Sequence, residues 1–155
     1  AGAFVAMLAT QLAYGKVDLT MVLNGALAGL VSITAEPLTP TMGWTCFIGG
    51  VGGVIVVYGV PLLDKFKIDD VVGAIPVHLF AGIWGTLAVV LTNSEAALGT
   101  QIYGIVVVGV FTFVISGAAW VILNAILGIR VSEEDEITGL DTAELGMEAY
   151  PDFVR

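Results

Sequence analysis

Long apolar runs separated by short polar breaks dominate the chain. A helix that crosses a bilayer needs about 20 mostly apolar residues. Five stretches approach or exceed that length: 1–14, 19–35, 43–63, 71–91 and 98–129. The first is too short for a complete span, as in a helix cut within its length, and the last is long enough to tilt or to extend beyond the bilayer. The pattern predicts an all-α, polytopic bundle of about five transmembrane helices over 1–130.

Polar or proline-containing segments separate these runs. Proline lacks an amide hydrogen and restricts the residue before it, so the segment 36–40 is expected to end a helix. The other breaks are the short turn 15–18, the charged loop 64–70 and the polar turn 92–95. Small residues recur at helix-packing spacing, in the pairs Gly25/Gly29 and Gly49/Gly53. Such pairs let backbones approach closely, which predicts a tightly packed bundle.

Composition supports lipid as the solvent of this bundle. The chain is 57% hydrophobic and only 12% charged, with a mean hydropathy of +0.98, whereas a soluble domain has about a quarter of its residues charged. Such a chain would lack a polar surface in water. The one cysteine, Cys46, excludes an internal disulfide and a cysteine-based metal cluster, and no cofactor or metal ligand set is expected.

Charge is distributed unevenly between the runs and the tail. Residues 131–155 carry eight acids and one Arg, which leaves the other 130 residues with a net charge of −2. The acidity therefore belongs to a water-exposed tail, and without a basic patch nucleic acid is not an expected partner. Lys16, Lys65, Lys67 and Arg130 fall on one side of five alternating spans, and the other side has no Lys or Arg between spans. This asymmetry predicts that the acidic tail lies in the cytoplasm.

His78 is the one histidine, and it lies inside the fourth run. Ionisable groups within a bilayer are costly and usually face a bundle interior or a pathway. Its expected neighbours on the same helical face are mostly small, which predicts a groove beside the imidazole. These neighbours are Val71, Ala74, Ile75, Ala81, Gly82 and Gly85. A structural role, with one hydrogen bond to a neighbouring helix, is the alternative.

Two other features near His78 affect its helix. Pro76 removes the amide that would bond the carbonyl of Val72, so a kink or local loosening is expected there. Asp69 and Asp70 precede the run, and a helix cap is the favoured interpretation. Haem ligation would need a second histidine. An intramembrane enzyme would need a nucleophile–base pair or a set of metal ligands within the spans, so no enzyme is predicted.

The acidic tail has a helix signal of its own. Asp141 followed by Glu144 is typical of a capping box, with Asp141 as the cap. Gly146 would then limit the helix to one or two turns. A solvated, unstructured tail is the alternative.

Three ordered motifs resemble one family. The segment 67–86, which includes Asp69-Asp70, Gly73-Ala74, Val77-His78 and Trp84-Gly85-Thr86, closely resembles a signature of the ammonium transporters of the Amt/Mep/Rh family. The segment 24–31 (NGALAGLV) looks like another signature, and 128–150 resembles the family's cytoplasmic tail. The resemblance covers nearly the whole chain and places it at the seventh to eleventh spans of eleven, in the C-terminal half of an inverted five-plus-five repeat.

The resemblance implies a function and a set of residues. His78 would be the second histidine of a twin-histidine pore, where ammonium loses its proton and ammonia crosses an apolar lumen, because an imidazole can donate, accept or carry a proton. Ala74 and Asn24 would line the pore, the latter more weakly. Residues that would support the structure near the pore are Pro76, Gly82, Gly85, Asp69 and Asp70. Residues of a regulatory tail would be Gly139, Asp141, Gly146 and Tyr150. The implied partners are ammonium or ammonia, the lipid bilayer, two further copies in a homotrimer and a PII-type regulatory protein.

The resemblance also sets limits. The first pore histidine, the external aromatic site and the gating phenylalanines belong to earlier helices that are absent here, and Leu79 and Phe80 replace the usual small residues after the histidine. Five spans cannot enclose the lumen, so the missing N-terminal half is needed and the chain alone should not conduct. The alternative function is a membrane ammonium sensor or a structural membrane module without transport.

Overall fold

The chain is all-helical, as predicted, in a computed structural model that describes residues 1–38 and 41–148. Its helices are α1 (Gly2–Tyr14), α2 (Leu19–Ile33), α3 (Met42–Lys65), a π-helical turn (Ile75–Phe80) that continues into α4 (Ala81–Thr92), α5 (Leu98–Leu127), α6 (Glu133–Thr138) and α7 (Leu140–Leu145). Within the described residues, three segments are long and apolar enough to cross a membrane: α3, the π turn with α4, and α5. The two shorter apolar helices are α1 and α2.

The polar breaks of the sequence contain the residues that end one helix and cap the start of the next. Gly15 follows α1 in the left-handed conformation with φ 72°, which glycine adopts without a steric penalty. The Asp18 carboxylate caps α2 by accepting from the Met21 amide at 2.9 Å, and the Thr41 hydroxyl caps α3. Of the predicted break 36–40, Thr39 and Pro40 lie outside the described residues.

Of the described residues, those up to Val108 form one compact unit, and those from Gly109 onward form another. In the first unit, α2 packs against α1, α3 and α4. A small apolar cluster lies at the centre of this packing, formed by Ala28, Val56, Val77 and Ala81. It joins α2 and α3 to the π turn and α4, so the segment that carries His78 is anchored on one side.

The close helix approach predicted from the two glycine pairs is confirmed. A Cβ on Gly29 would lie 3.2 Å from both the Gly2 Cα and the Gly49 carbonyl oxygen. A Cβ on Gly53 would collide with the Gly2 carbonyl oxygen and lie 3.1 Å from the Gly2 carbonyl carbon. The backbones of α1, α2 and α3 therefore meet where side chains are missing.

Among the described residues, two side chains from other helices donate to backbone carbonyls of α3. Pro61 lies inside α3 and has no amide to donate to the Val57 carbonyl, four residues earlier. The Tyr14 hydroxyl from α1 donates to that carbonyl at 3.2 Å. Nearer the start of α3, the Trp84 indole nitrogen donates to the Ile48 carbonyl at 3.0 Å. Helix α3 thus has a polar contact with a neighbouring helix in each of its halves.

Helix α5 differs from the others. All 30 of its residues are described, and none of them is buried. A Cβ added to Gly104, Gly109 or Gly117 would have no atom within 4 Å. Within the described chain its apolar surface is therefore mostly open, and only Gln101, Gly104 and Ile105 are half-buried.

The described part of the tail contains two short helices. The Ser132 hydroxyl caps α6 by accepting from the Asp135 amide at 3.1 Å, and Arg130 forms an ion pair with Glu136 at 3.0 Å. The predicted capping box at Asp141 is wrong. Helix α7 begins after Gly139, and a glycine supplies no capping side chain. The amides of Thr142 and Ala143 donate to the Gly139 carbonyl.

Asp141 therefore lies in the first turn of α7, where a carboxylate complements the helix dipole. Gly146 ends α7 in the left-handed conformation with φ 66°, so the predicted length of one or two turns is confirmed. Tyr150 lies outside the described residues.

Candidate functional site

The helix that carries His78 begins at a cap made by Asp70. One carboxylate oxygen accepts from the Ala74 amide and the other from the Ile75 amide, both at 2.8 Å. The next residue, Pro76, has no amide hydrogen. The following amide, of Val77, donates to the Gly73 carbonyl at 3.2 Å. The orphan donors of this helix start are thus satisfied, and the interpretation of Asp70 as a cap is confirmed. Asp69 is exposed beside it.

Gly73 turns the chain just before this helix. Its φ is +74°, a left-handed conformation that favours glycine. This angle rotates the Val72–Gly73 peptide away from the orientation that it would have in a continued helix. The predicted fourth run starts at residue 71, but Val71–Gly73 is not helical and the helix starts after this turn, at Ala74.

The Val72 carbonyl is bonded to a different helix. The Asn24 side-chain nitrogen, from α2, donates to it at 2.9 Å. A Cβ on Gly73 would lie 2.9 Å from the same nitrogen and 3.2 Å from a methyl carbon of Val60 on α3. The turn is therefore held between α2 and α3, and it tolerates no side chain at Gly73.

The loosening predicted at Pro76 takes the form of a π-helical turn over Ile75–Phe80. The Ala81 amide bonds back to the Pro76 carbonyl, five residues earlier. Such turns insert one extra residue into a helix and are frequent at functional sites. A Cβ on Gly59 of α3 would lie 2.9 Å from the Pro76 side chain, so the turn packs closely on α3.

His78 lies on the open side of this turn. Pro76 and Val77 are buried, whereas His78 and Leu79 are exposed. Among the described residues, the imidazole has no hydrogen-bond partner. The alternative of a structural histidine bonded to a neighbouring helix therefore has no partner residue here. The imidazole is free to contact a solute or a further helix.

The predicted groove of small residues is only partly present. Ala74 and Val71 are exposed, as His78 is, and Gly82 is half-buried. Ala81 and Gly85 are buried, and a Cβ on Gly85 would lie 2.9 Å from the Ser32 Cα of α2. The expectation that these two share the His78 face is wrong, because the π turn changes the register between His78 and α4.

A separate shallow cavity of about 620 Å³ lies at the other end of α3. Its lining is almost wholly apolar and consists of Thr41, Gly43, Trp44, Phe47 and Leu91. The Trp44 and Phe47 rings meet edge to face at 5.8 Å, and Phe47 meets Trp84 in the same way at 6.3 Å. None of these residues carries acid–base chemistry, so the cavity does not compete with His78 as the candidate site.

Sequence reasoning missed one contact and one backbone conformation in this region. The bond from Asn24 to Val72 joins residues 48 apart in the chain, and no local pattern predicts such a pair. The left-handed Gly73 had a signal, a glycine between an aspartate cap and a proline. Tail residues Gly139, Asp141 and Gly146 lie in the second unit.

Comparison with known proteins identifies the relatives of this chain. The model of the Ammonium Transporter Family matches residues 1–150. The ammonium transporter Amt2 of Archaeoglobus fulgidus is 41% identical over 99% of the chain and 37% of its own length. The ammonium transporter Amt1 of Haloferax mediterranei is 36% identical over 99% of the chain and 31% of its own length.

A putative ammonium transporter of Synechocystis is 41% identical over 84% of the chain. The chain thus spans about a third of the length of the curated relatives that it matches, and no solved structure matches it. The family match covers nearly every residue, including the Asp70–Thr86 segment and both glycine pairs. The chain belongs to the ammonium transporter family and is a multi-pass membrane protein.

Proposed function

We propose that this chain is one wall of the pore of an ammonium transporter, with ammonium or ammonia as the solute. One observation carries the proposal: an exposed imidazole without a partner among the described residues, on a helix whose opposite side is packed. Family membership and the names of the relatives support the choice of solute. The chain alone does not conduct, since the N-terminal half of the protein supplies the opposite wall.

His78 takes the role of the second histidine of a twin-histidine pore. A bare ammonium ion in an apolar lumen would lack its hydration, at a cost of several kcal/mol or more. A neighbouring imidazole reduces this cost by accepting a proton or a hydrogen bond from the solute. Exposed Ala74, one turn earlier, leaves space beside the imidazole and lines the same wall.

The remaining residues near the site hold this wall in place. Pro76 sets the π turn, and the Asp70 cap starts it, with Asp69 on its solvent side. Gly85 allows α4 to touch the backbone of α2. Gly82, whose Cβ would meet only Val31 at 3.8 Å, leaves room rather than close contact.

Assembly and orientation complete the proposal. The protein is a homotrimer in the cell membrane, with a cytoplasmic C-terminus on the side where the basic loop residues lie. The tail, with Gly139, Asp141, Gly146 and Tyr150, is regulatory and meets a PII-type protein. The two short helices and the Arg130–Glu136 ion pair supply a folded element for such a contact.

Methylammonium uptake tests the function. The full-length protein is expressed in cells that lack their own ammonium transporters, as wild type, His78→Ala and the neighbouring control Leu79→Ala, with the amount in the membrane measured for each. Wild type and the control should take up methylammonium, and His78→Ala should lose uptake or change its pH profile. A well-inserted wild type without uptake favours a sensor. Uptake unchanged in His78→Ala removes the histidine from the pathway.

A further inference from the structure

We infer that Asn24 is a positioning residue, which acts through the Val72 carbonyl to hold the turn that presents His78. The inference rests on the proposed function, because it names the residue that controls the geometry of the same site. It differs from the role that the family resemblance implies for Asn24, in which the side chain lines the lumen and touches the solute itself.

The first step is the direction of the hydrogen bond. A carbonyl can only accept, so the 2.9 Å contact from Asn24 to Val72 uses the side-chain amide nitrogen as donor. Asn24 is half-buried on α2, at the end of the bundle where the His78 helix begins. The bond itself lies at an exposed position, so its expected contribution is that of one net hydrogen bond and no larger.

The second step is that the Val72 carbonyl has no helical donor. Pro76, four residues on, has no amide hydrogen. The left-handed Gly73 also rotates the Val72 peptide out of the helical orientation. The nearby Ala74 and Ile75 amides already donate to the Asp70 carboxylate. Asn24 thus supplies the bond that the loop itself does not provide.

The third step connects this bond to His78. Gly73 accepts from the Val77 amide, and Val77 is buried in the apolar cluster directly before the imidazole. Release of the Val72 peptide would free Gly73 to change its backbone angles. The first turn of the helix would then lose its fixed start, and the imidazole would move relative to α2 and α3.

Two measurements on the full-length protein test the inference. The first is methylammonium uptake against concentration, per inserted molecule, for Asn24→Ala, Asn24→Asp and the matched control Asn124→Ala on α5. Asn24→Asp keeps the shape of the side chain but has no amide hydrogen to donate. Both Asn24 variants should lower maximal uptake roughly two- to tenfold, the effect of about one net hydrogen bond. The concentration for half-maximal uptake should change little, and the control should equal wild type.

The second measurement follows the position of residue 78 without transport. Cys46 and any cysteine outside this chain are replaced, and a single cysteine is introduced by His78→Cys or, as a control on α4, by Leu91→Cys. The rate of modification by a small cationic thiol reagent is then compared with and without Asn24→Asp. The rate at residue 78 should change by a factor of about two or more, and the rate at residue 91 should not.

The outcomes separate the alternatives. Uptake that falls while the thiol rate at residue 78 stays constant would mean that Asn24 contacts the solute, which overturns the inference. Unchanged uptake in both Asn24 variants of a transporting protein overturns it as well. If wild type itself does not take up methylammonium, the proposed function fails, and the thiol rate alone decides whether Asn24 positions residue 78.

Discussion

Helices α3 and α5 are alike in sequence terms and opposite in structure. Both are long enough to cross a membrane, with mean hydropathies of 2.1 and 2.5 over their most apolar windows. Half of that window is buried within the chain in α3, and none of it in α5. Hydropathy therefore identifies the solvent of a helix but gives no information about its neighbours.

The glycines of the two helices show what makes the difference. Gly49, Gly50, Gly52 and Gly53 of α3 are all buried, and a Cβ on Gly52 would lie 2.6 Å from the Ala28 carbonyl oxygen of α2. The glycines of α5 face open space. In a membrane, where apolar side chains gain little by leaving lipid, close backbone packing is a main source of helix association. The same residue type thus has a packing role in α3 and none within this chain in α5.

The largest expected effect comes from filling one glycine in each helix. Gly53→Ala should lower the free energy of unfolding by about 1–3 kcal/mol, because the new methyl group collides with the backbone of Gly2. Gly109→Ala should be neutral or stabilise α5 by up to about 1 kcal/mol through helix propensity. Thermal unfolding of the purified full-length protein in detergent measures both. Equal losses would mean that α5 is packed as closely in the full protein as α3 is here.

The second prediction concerns the hydrogen bonds between Asp70 and the start of the His78 helix, which are local rather than between helices. Asp70→Ala removes the cap of two amides and should cost about 1–2 kcal/mol. Asp69→Ala, at the exposed neighbouring position, should stay within about 0.5 kcal/mol of wild type. The same thermal assay measures the pair. A larger loss of stability for Asp69→Ala than for Asp70→Ala would mean that Asp69, and not Asp70, caps this helix.

Tryptophans offer a smaller and cleaner comparison. Trp84→Phe removes the indole donor to the α3 carbonyl of Ile48 and should cost about 1 kcal/mol. Trp120→Phe on α5, where the side chain is 63% exposed, should change the unfolding temperature much less. Both substitutions remove the same atoms, so only the contact differs. Similar shifts for the two variants would contradict the contrast between the helices.

The smallest expected effect concerns the proline in α3. Tyr14→Phe should cost about 0.5–1 kcal/mol, because the Val57 carbonyl loses its donor. In a Pro61→Ala background residue 61 has an amide for that carbonyl, so Tyr14→Phe should then cost almost nothing. A double-mutant cycle of unfolding temperatures measures the coupling. Additive effects would show that Tyr14 does not compensate for Pro61.

The sequence predicts the helices better than it predicts their contacts. Apolar runs locate α1 to α5 because a membrane helix must satisfy its backbone internally over its whole length. The start of the fourth run is less accurate, since it depends on the positive φ of Gly73, which leaves no mark in hydropathy. The capping box at Asp141 fails because α7 begins two residues earlier than the pattern places it. The helix starts after Gly139, which supplies no side-chain cap.

The candidate site shows the same division. His78 and Asp70 are found from the sequence because an ionisable group in an apolar run and an acid before a helix are local signals. The partner of Asn24 is not, because it depends on how α2 packs beside a loop 48 residues later. The neighbours of His78 are also predicted incorrectly. A regular helical period of about 3.6 residues would place Ala81 and Gly85 on its face, and the π turn changes that period.

The π turn gives the fourth helix two independent orientations. One extra residue in a helix rotates the turns after it by about 100° relative to the turns before it. The direction of the exposed imidazole, inside the turn, and the direction of the packed residues after it are therefore set by different constraints. The packed residues are Ala81, Gly85 and Ala88. Deletion of one residue within Ile75–Phe80 would join the two into a single α-helical register. Either the histidine would then turn toward α2 and α3, or the small residues would leave the bundle.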